Sequence, residues 1–125
     1  MRQFEVRINN KIGALASVCD VLAGTGINIK AISSELRGDL GVLKFITDDE
    51  VGTRDVLKAA NLNFSEYEIV PVRLRDEPGE LAKLARGLAK LNIDIESIFL
   101  LNKENGVSEI AFKVNDLKGA KRVLG

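Results

Sequence analysis

Residues 13–27 read GALASVCDVLAGTGI, and residues 79–93 repeat the pattern as GELAKLARGLAKLNI. The two glycines that open these stretches, Gly13 and Gly79, recur at an offset of 79 − 13 = 66. The apolar positions keep this offset, so that Leu15 matches Leu81 and Ile27 matches Ile93. A repeated unit of this length exceeds the roughly 20–50 residues of solenoid repeats and can hold a core of its own. The sequence therefore predicts two small homologous domains in one chain.

The composition is that of a globular protein, and it excludes several classes of function. Of the 125 residues, 46% are hydrophobic and 29% are charged, with 18 basic and 18 acidic side chains. This balance gives no overall field to attract nucleic acid or anionic lipid. No run reaches the roughly 18 apolar residues of a membrane span. We therefore expect neither a nucleic-acid partner nor a membrane partner, and the single cysteine indicates a reducing, cytoplasmic location.

Histidine is missing and cysteine is rare, which leaves carboxylates and lysines as the residue types from which an enzyme could still be built. The chain has no histidine and one cysteine, Cys19. This excludes histidine-dependent triads, histidine-ligated metals and Cys-x-x-Cys sites. Cys19 lies on an apolar helical stripe and is expected to be a small buried side chain. We expect no catalytic residues, no metal site and no cofactor, so the chain is not predicted to be an enzyme.

The first repeat shows the pattern strand, helix, two strands, helix and strand. Apolar and polar residues alternate in the predicted strands, whereas Leu15, Val18, Cys19 and Leu22 follow helical spacing. A strand is expected at 4–8, followed by a helix that ends at Gly24 and Gly26. Two strands follow at 27–36 and 40–47. A second helix runs from Asp48 or Asp49 to about Ala60, and the last strand lies at 64–69.

The second repeat follows the same order. Val70, Val72 and Leu74 alternate along a strand, and Pro78 suits the first turn of the next helix. The apolar stripe of that helix is Leu81, Leu84, Ala85, Leu88 and Leu91, with Asn92 as its left-handed C-terminal residue. A hairpin is then expected, with strands at 93–101 and 108–114 joined at Asn105-Gly106, followed by a short helix from Asn115 or Asp116.

The predicted fold class is α+β, with two ferredoxin-like βαββαβ repeats at residues 1–68 and 69–125. Each antiparallel sheet is expected to carry its helices on one face, and the second repeat lacks its last strand. Three arrangements of that sheet edge remain open: an exposed edge, one long strand over 64–75 that serves both repeats, or a strand from a neighbouring chain. Unpaired edges favour pairing, so a homo-oligomer is expected.

The loop before the second repeat's helix narrows the choice among ferredoxin-like proteins. It reads Asp76-Glu77-Pro78-Gly79-Glu80-Leu81 and is followed after one helix by Asn92-Ile93-Asp94-Ile95. This resembles the ACT domain, a regulatory amino-acid-binding module with the pattern Asp/Asn-x-Pro-Gly-x-Leu, a helix, and Gly-(Ile/Val)-(Asn/Asp)-Ile. The first repeat matches through residues 10–15 and 26–29, with Ile12 in place of the proline. The aromatic content of 5% argues against a base-stacking RNA module.

The resemblance implies that an amino acid binds between paired ACT domains. It would contact the first loop of one domain and the start of the second strand of the other. Carried over by position, the expected ligand-binding residues are Asn10, Gly13, Ala14, Leu15, Asn28, Asp76, Gly79, Glu80, Leu81 and Asp94. The α-carboxylate would lie at the N–H groups of the helix starts, where an anion is favoured.

Charge suggests how these residues pair. A crossed arrangement joins Asn10 to Asp94 and Asp76 to Asn28, so that each site carries one negative charge beside the α-ammonium. Uncrossed sites would hold two asparagines or two aspartates, which match a zwitterion less well. Asn10 and Asp76 have an alternative role as helix caps, and Asn28 and Asp94 as polar residues at strand starts.

The sequence therefore predicts a regulatory tandem ACT protein that binds a small amino acid and acts allosterically on a partner. A metabolic enzyme is a candidate partner. The alternative is a structural module that docks onto an enzyme or assembles with its own copies and binds no ligand.

Overall fold

The computed structural model describes residues 1–9 and 11–124 and divides into two compact units. One unit is Arg2–Tyr67, and the other contains Met1 and residues 68–124. The first set of elements is β1 (Arg2–Asn9), α1 (Ala14–Ala23), β2 (Ile29–Arg37), β3 (Leu40–Thr47), α2 (Glu50–Ala59) and β4 (Asn63–Glu68). The second is β5 (Val70–Arg75), α3 (Glu80–Ala89), β6 (Ile95–Glu104), β7 (Val107–Val114) and α4 (Leu117–Leu124).

The first unit contains a four-stranded sheet in the order β2-β3-β1-β4. Strand β3 pairs antiparallel with both β1 and β2, and Phe45 lies opposite Phe4 on one side and Ile32 on the other. The Phe4 and Phe45 rings stack with centroids 6.0 Å apart. They form the core with Val18 and Leu22 of α1 and other apolar residues, which are Val6, Ile27, Leu43 and Leu57.

The second unit contains a three-stranded antiparallel sheet in the order β5-β7-β6. Within the described residues this unit has no counterpart of β4, as predicted. Leu88, Ile93 and Ala120 form one buried cluster of its core, and Phe112 and Ala111 of β7 are also fully buried. The two units together confirm the α+β ferredoxin-like class with antiparallel sheets and helices.

The expected turn signals are confirmed. Gly26 and Asn92 have positive φ values of 74° and 60° after α1 and α3. Asn105 and Gly106 both have positive φ, 53° and 75°, as a tight hairpin between β6 and β7 requires. These residues adopt the left-handed conformation because glycine has no Cβ and asparagine tolerates this region.

Several details of the prediction are wrong. Of the three arrangements left open for the sheet edge, the one long strand over 64–75 is excluded, because β4 and β5 belong to different sheets and are separated at Ile69. Pro78 precedes helix α3, which begins at Glu80 after Gly79.

Leu81 and its counterpart Leu15 are each 43% exposed, because both lie in the first helical turn, outside the core clusters. Cys19 is half-buried where a buried side chain was expected.

Candidate functional site

The predicted ligand loops contain glycines in the same unusual conformation. Gly13 has φ 87° and ψ −3°, and Gly79 has φ 87° and ψ −11°. Each residue directly precedes a helix, α1 or α3. A Cβ added at either position would meet no atom within 4 Å. A side chain at either position would therefore be disfavoured by the positive φ and not by a lack of space, and glycine adopts this φ without strain.

The two helix starts have no side-chain cap among the described residues. The N–H of Ala14 donates to Lys11 O at 3.1 Å, and the N–H of Glu80 donates to Glu77 O at 3.3 Å. The other N–H groups of a first helical turn have no carbonyl partner in a preceding turn. Both helix starts therefore present partial positive charge on which a carboxylate is favoured.

Asn28 and Asp94 occupy matching positions immediately before β2 and β6. The Asn28 N–H donates to Asp48 Oδ1 at 3.0 Å, and Asn28 O accepts from the Asp48 N–H at 3.2 Å. Likewise, the Asp94 N–H donates to Asn115 Oδ1 at 2.8 Å, and Asp94 O accepts from the Asn115 N–H at 3.2 Å. The Asn28 and Asp94 side chains are exposed. Their backbones are thus held in place while their polar groups face solvent.

The Asp76 carboxylate does not cap helix α3. Within the described part of the chain it accepts no hydrogen bond from an α3 N–H group, and its Oδ1 lies 3.1 Å from Lys103 Nζ. Both side chains are about half-exposed, at 42% and 54%. The capping alternative for Asp76 is therefore wrong. Asn10, its counterpart in the first repeat, lies outside the described residues.

A cleft of about 290 Å³ in the second unit contains three of the predicted residues, Asp76, Glu80 and Leu81. The opposite wall is formed by residues of β6, including Ile98 and Leu100, which are 47% and 54% exposed. Asp94 does not line this cleft. The cleft combines an apolar wall with the carboxylates of Asp76, Glu77 and Glu80 and the cations of Arg75 and Lys103. This surface suits a ligand that has an apolar portion and charges of both signs, such as an amino acid.

A larger cleft of about 700 Å³ lies in the first unit and contains Gly13 and Ala14. Leu15 and Asn28 do not line it. Its other residues come from the end of β1, the exposed loop before α1, the body of α1 and the turn between α2 and β4: Arg7, Ile8, Asn9, Lys11, Ile12, Ser17, Val18, Val21, Ala60, Asn61, Leu62 and Asn63.

Sequence reasoning missed most of these lining residues. Arg7 occupies a polar position in the alternation of β1, where a solvated side chain is the ordinary expectation. Ile98 and Leu100 fit the apolar pattern of a strand and give no sign that they are exposed. No local pattern connects such residues, because the two walls of each cleft come from segments distant in the chain.

No group of three or more histidine, cysteine, aspartate or glutamate side chains that could hold a metal ion occurs among residues 1–9 and 11–124. Over the same residues, no helix has the length and apolar content needed to cross a membrane.

Comparisons with known proteins support the fold. A family model described as an ACT domain pair matches residues 1–124. The structure of protein BT0572 from Bacteroides thetaiotaomicron is 26% identical, with a TM-score of 0.90 over 98% of this chain and 85% of that one. The ligand-free regulatory subunit of aspartate kinase from Thermus thermophilus is 19% identical, with a TM-score of 0.70 over 98% and 89% of the two chains. No functionally curated protein matches the sequence.

Proposed function

This chain belongs to the ACT domain family as a pair of ACT domains, and on that premise we propose that it binds a small amino acid and regulates a partner. The observation that carries the proposal is the shared geometry of Gly13 and Gly79. Both have φ 87°, both directly precede a helix that no described side chain caps, and both have open space beside the Cα. A ligand can therefore approach the backbone closely at either loop.

The proposed site recognises the two charged groups of an amino acid separately. The α-carboxylate lies at the first-turn N–H groups of Gly13-Ala14-Leu15 or Gly79-Glu80-Leu81. The α-ammonium donates to a carboxylate or amide oxygen of Asn10, Asn28, Asp76 or Asp94. Charge-assisted hydrogen bonds of about 1.5–3 kcal/mol each, offset by the entropy of binding, correspond to dissociation constants between roughly 1 μM and 1 mM.

We further propose the crossed pairing, in which Asp76 acts with Asn28 and Asn10 acts with Asp94. Each site then has one carboxylate for one ammonium. The exposed ion pair between Asp76 and Lys103 does not prevent this, because such pairs contribute only about 0–1 kcal/mol. A ligand ammonium can therefore take the place of the lysine.

The proposal extends to organisation and location. We place the two ACT repeats at residues 1–68 and 69–125, and we propose a homo-oligomer in the cytoplasm whose partner is a metabolic enzyme. Ligand binding would act on that enzyme by favouring one of two assembly or packing states, which is what allosteric coupling requires.

Thermal-shift screening against the common L-amino acids, each at about 10 mM, tests the proposal. A ligand present at 100 times its dissociation constant stabilises the folded state by about 2.7 kcal/mol and raises Tm by several degrees. Stabilisation by one or two L-amino acids, but not by their D-enantiomers, is the expected result. No stabilisation by any of them would contradict the proposal and favour a structural module that binds no ligand.

A further inference from the structure

The 700 Å³ cleft of the first unit shares the helix start at Gly13-Ala14 with the proposed first-loop amino-acid site, but most of its lining residues lie outside that site. It extends from the end of β1 to the turn between α2 and β4, whereas Asn28, Asp76 and Asp94 do not line it. Its volume lies within the roughly 300–1,000 Å³ typical of small-molecule sites. The cleft is therefore large enough for a ligand of its own.

All the charge that lines this cleft is positive. Arg7 and Lys11 are the charged residues among its described lining residues, and no carboxylate is present there. The ion pairs of the described residues do not involve either side chain. The protein as a whole has a formal net charge of zero, so this excess is local.

Neutral partners hold Arg7 in position. Its Nη1 donates to Asn63 Oδ1 at 3.4 Å, and its Nη2 donates to Ser65 Oγ at 3.3 Å. A guanidinium has five N–H donors, so these two bonds orient it and leave donors for an anion. Because neither partner is charged, the positive charge of Arg7 is not neutralised.

The remaining surface is mixed. Val18, Val21 and Leu62 supply apolar contacts, and Asn61 supplies an amide beside them. The helix start at Gly13-Ala14 lies in the same wall and adds partial positive charge. A compact anion matches this combination, since the described lining residues supply two cations and helix-start N–H groups and no carboxylate.

We propose that this cleft binds a small dianion, either a phosphate or a dicarboxylate, through Arg7 and Lys11. The inference goes beyond the proposed amino-acid binding, since its ligand needs no ammonium group and is held by Arg7 and Lys11, although it shares the Gly13-Ala14 helix start with the first-loop site. Two negative charges match the two cations, and the fork of Arg7 suits both carboxylate and phosphate oxygens.

Isothermal titration at fixed ionic strength tests the proposal, with inorganic phosphate and succinate as probes and uncharged succinamide as the control ligand. Arg7→Met is compared with Arg73→Met, because Arg73 is the counterpart of Arg7 in the second repeat. Loss of charge-assisted bonds should weaken binding about tenfold or more in Arg7→Met. Arg73→Met should change it less than about twofold, because Arg73 does not line this cleft.

Lys11→Glu provides a second variant that does not depend on the anchoring of Arg7. Lys11 is exposed and forms none of the hydrogen bonds between described side chains. Reversing its charge should abolish detectable binding while the unfolding transition stays unchanged.

Binding of phosphate alone or succinate alone supports the site and identifies the ligand class. Equal loss in the Arg7 and Arg73 variants, equal binding of succinamide, or no binding of either dianion at about 10 mM would overturn the proposal.

Discussion

Gly13 and Gly79 have the same φ of 87°, although they lie in different repeats, and each directly precedes the first residue of a helix. A residue before a helix ordinarily has an extended backbone, and the left-handed alternative disfavours a side chain. Both loops thus share a left-handed backbone conformation, although no neighbouring atom would contact a Cβ at either glycine. This geometry links the fold to the proposed ligand site.

Replacing Gly79 tests whether this position requires glycine because of its positive φ or because of a lack of space for a side chain. Gly79→Ala should lower the free energy of unfolding by about 1 kcal/mol, because alanine is strained at positive φ while nothing blocks its methyl group. Gly79→Asn should cost less, since Asn61, Asn92 and Asn105 already adopt positive φ in this protein. Urea unfolding measures both. Equal destabilisation by the two variants would show that a side chain is excluded for another reason.

The start of helix α2 depends on Asp49 and not on its neighbour. Asp49 Oδ1 accepts from the Gly52 N–H at 2.9 Å, whereas Asp48 Oδ1 accepts from the Asn28 N–H at 3.0 Å. Asp49→Ala should therefore cost about 1 kcal/mol and accelerate hydrogen exchange at Gly52. Asp48→Ala should accelerate exchange at Asn28 and leave Gly52 protected. Faster exchange at Gly52 in both variants would contradict this division of roles.

Glu66 lies at the centre of the main charge network of the first unit. Its carboxylate accepts from Arg54 Nε and Nη2 and from Arg2 Nε, each at 2.7 Å, and 18% of its side chain is exposed. The hydrogen bonds from Arg54 and then from Arg2 hold the pKa of Glu66 below its ordinary value of 4.5, although burial opposes the shift. The same contact with Glu66 raises the pKa of Arg54.

A lowered pKa predicts the sign of the pH dependence. The stability contributed by the Glu66 carboxylate is present above about pH 4.5 and is lost as pH falls through the folded-state pKa. Glu66→Gln should cost about 1–2 kcal/mol at pH 7 and flatten the loss of stability below pH 5. Glu35→Gln, which breaks the exposed Arg37 pair, serves as the control and should change the stability much less, because exposed ion pairs are screened by solvent. An unchanged slope in Glu66→Gln would refute the assignment.

Asn28→Ala tests the crossed pairing of the amino-acid sites. If Asn28 acts with Asp76, the variant should lose the site at the second loop and retain the one at the first. Calorimetric titration counts the sites, and backbone NMR assigns the surviving one. Asp94→Ala should give the opposite result and acts as the matched control. Loss of the site at the first loop in Asn28→Ala would show that the pairing is not crossed.

Local signals made most of the fold predictable. Strand β3 matches its predicted bounds, Leu40–Thr47, because an apolar run lies between clear turn and capping residues. The Asn105-Gly106 hairpin follows from two residues that tolerate positive φ. The alternatives Asp48 and Asp49 could not be separated, since either side chain lies within reach of a helix start.

Features that depend on distant partners could not be predicted. The break between β4 and β5 lies at Ile69, whose N–H donates to Met1 O at 2.9 Å. Nothing in the sequence around Ile69 identifies a partner at the other end of the chain. In the same way, helical spacing places Leu15 and Leu81 on apolar stripes but does not tell how far along each helix the core extends.

The most direct test of the account is a backbone NMR titration of the full chain with the amino acid that raises Tm most. The account predicts that the largest shift changes occur at the N–H groups of Gly13-Ala14-Leu15 and Gly79-Glu80-Leu81, and at Asn28 and Asp94. Saturable changes confined to other residues, with these loops unaffected, would contradict the claim that the paired glycine loops bind the ligand.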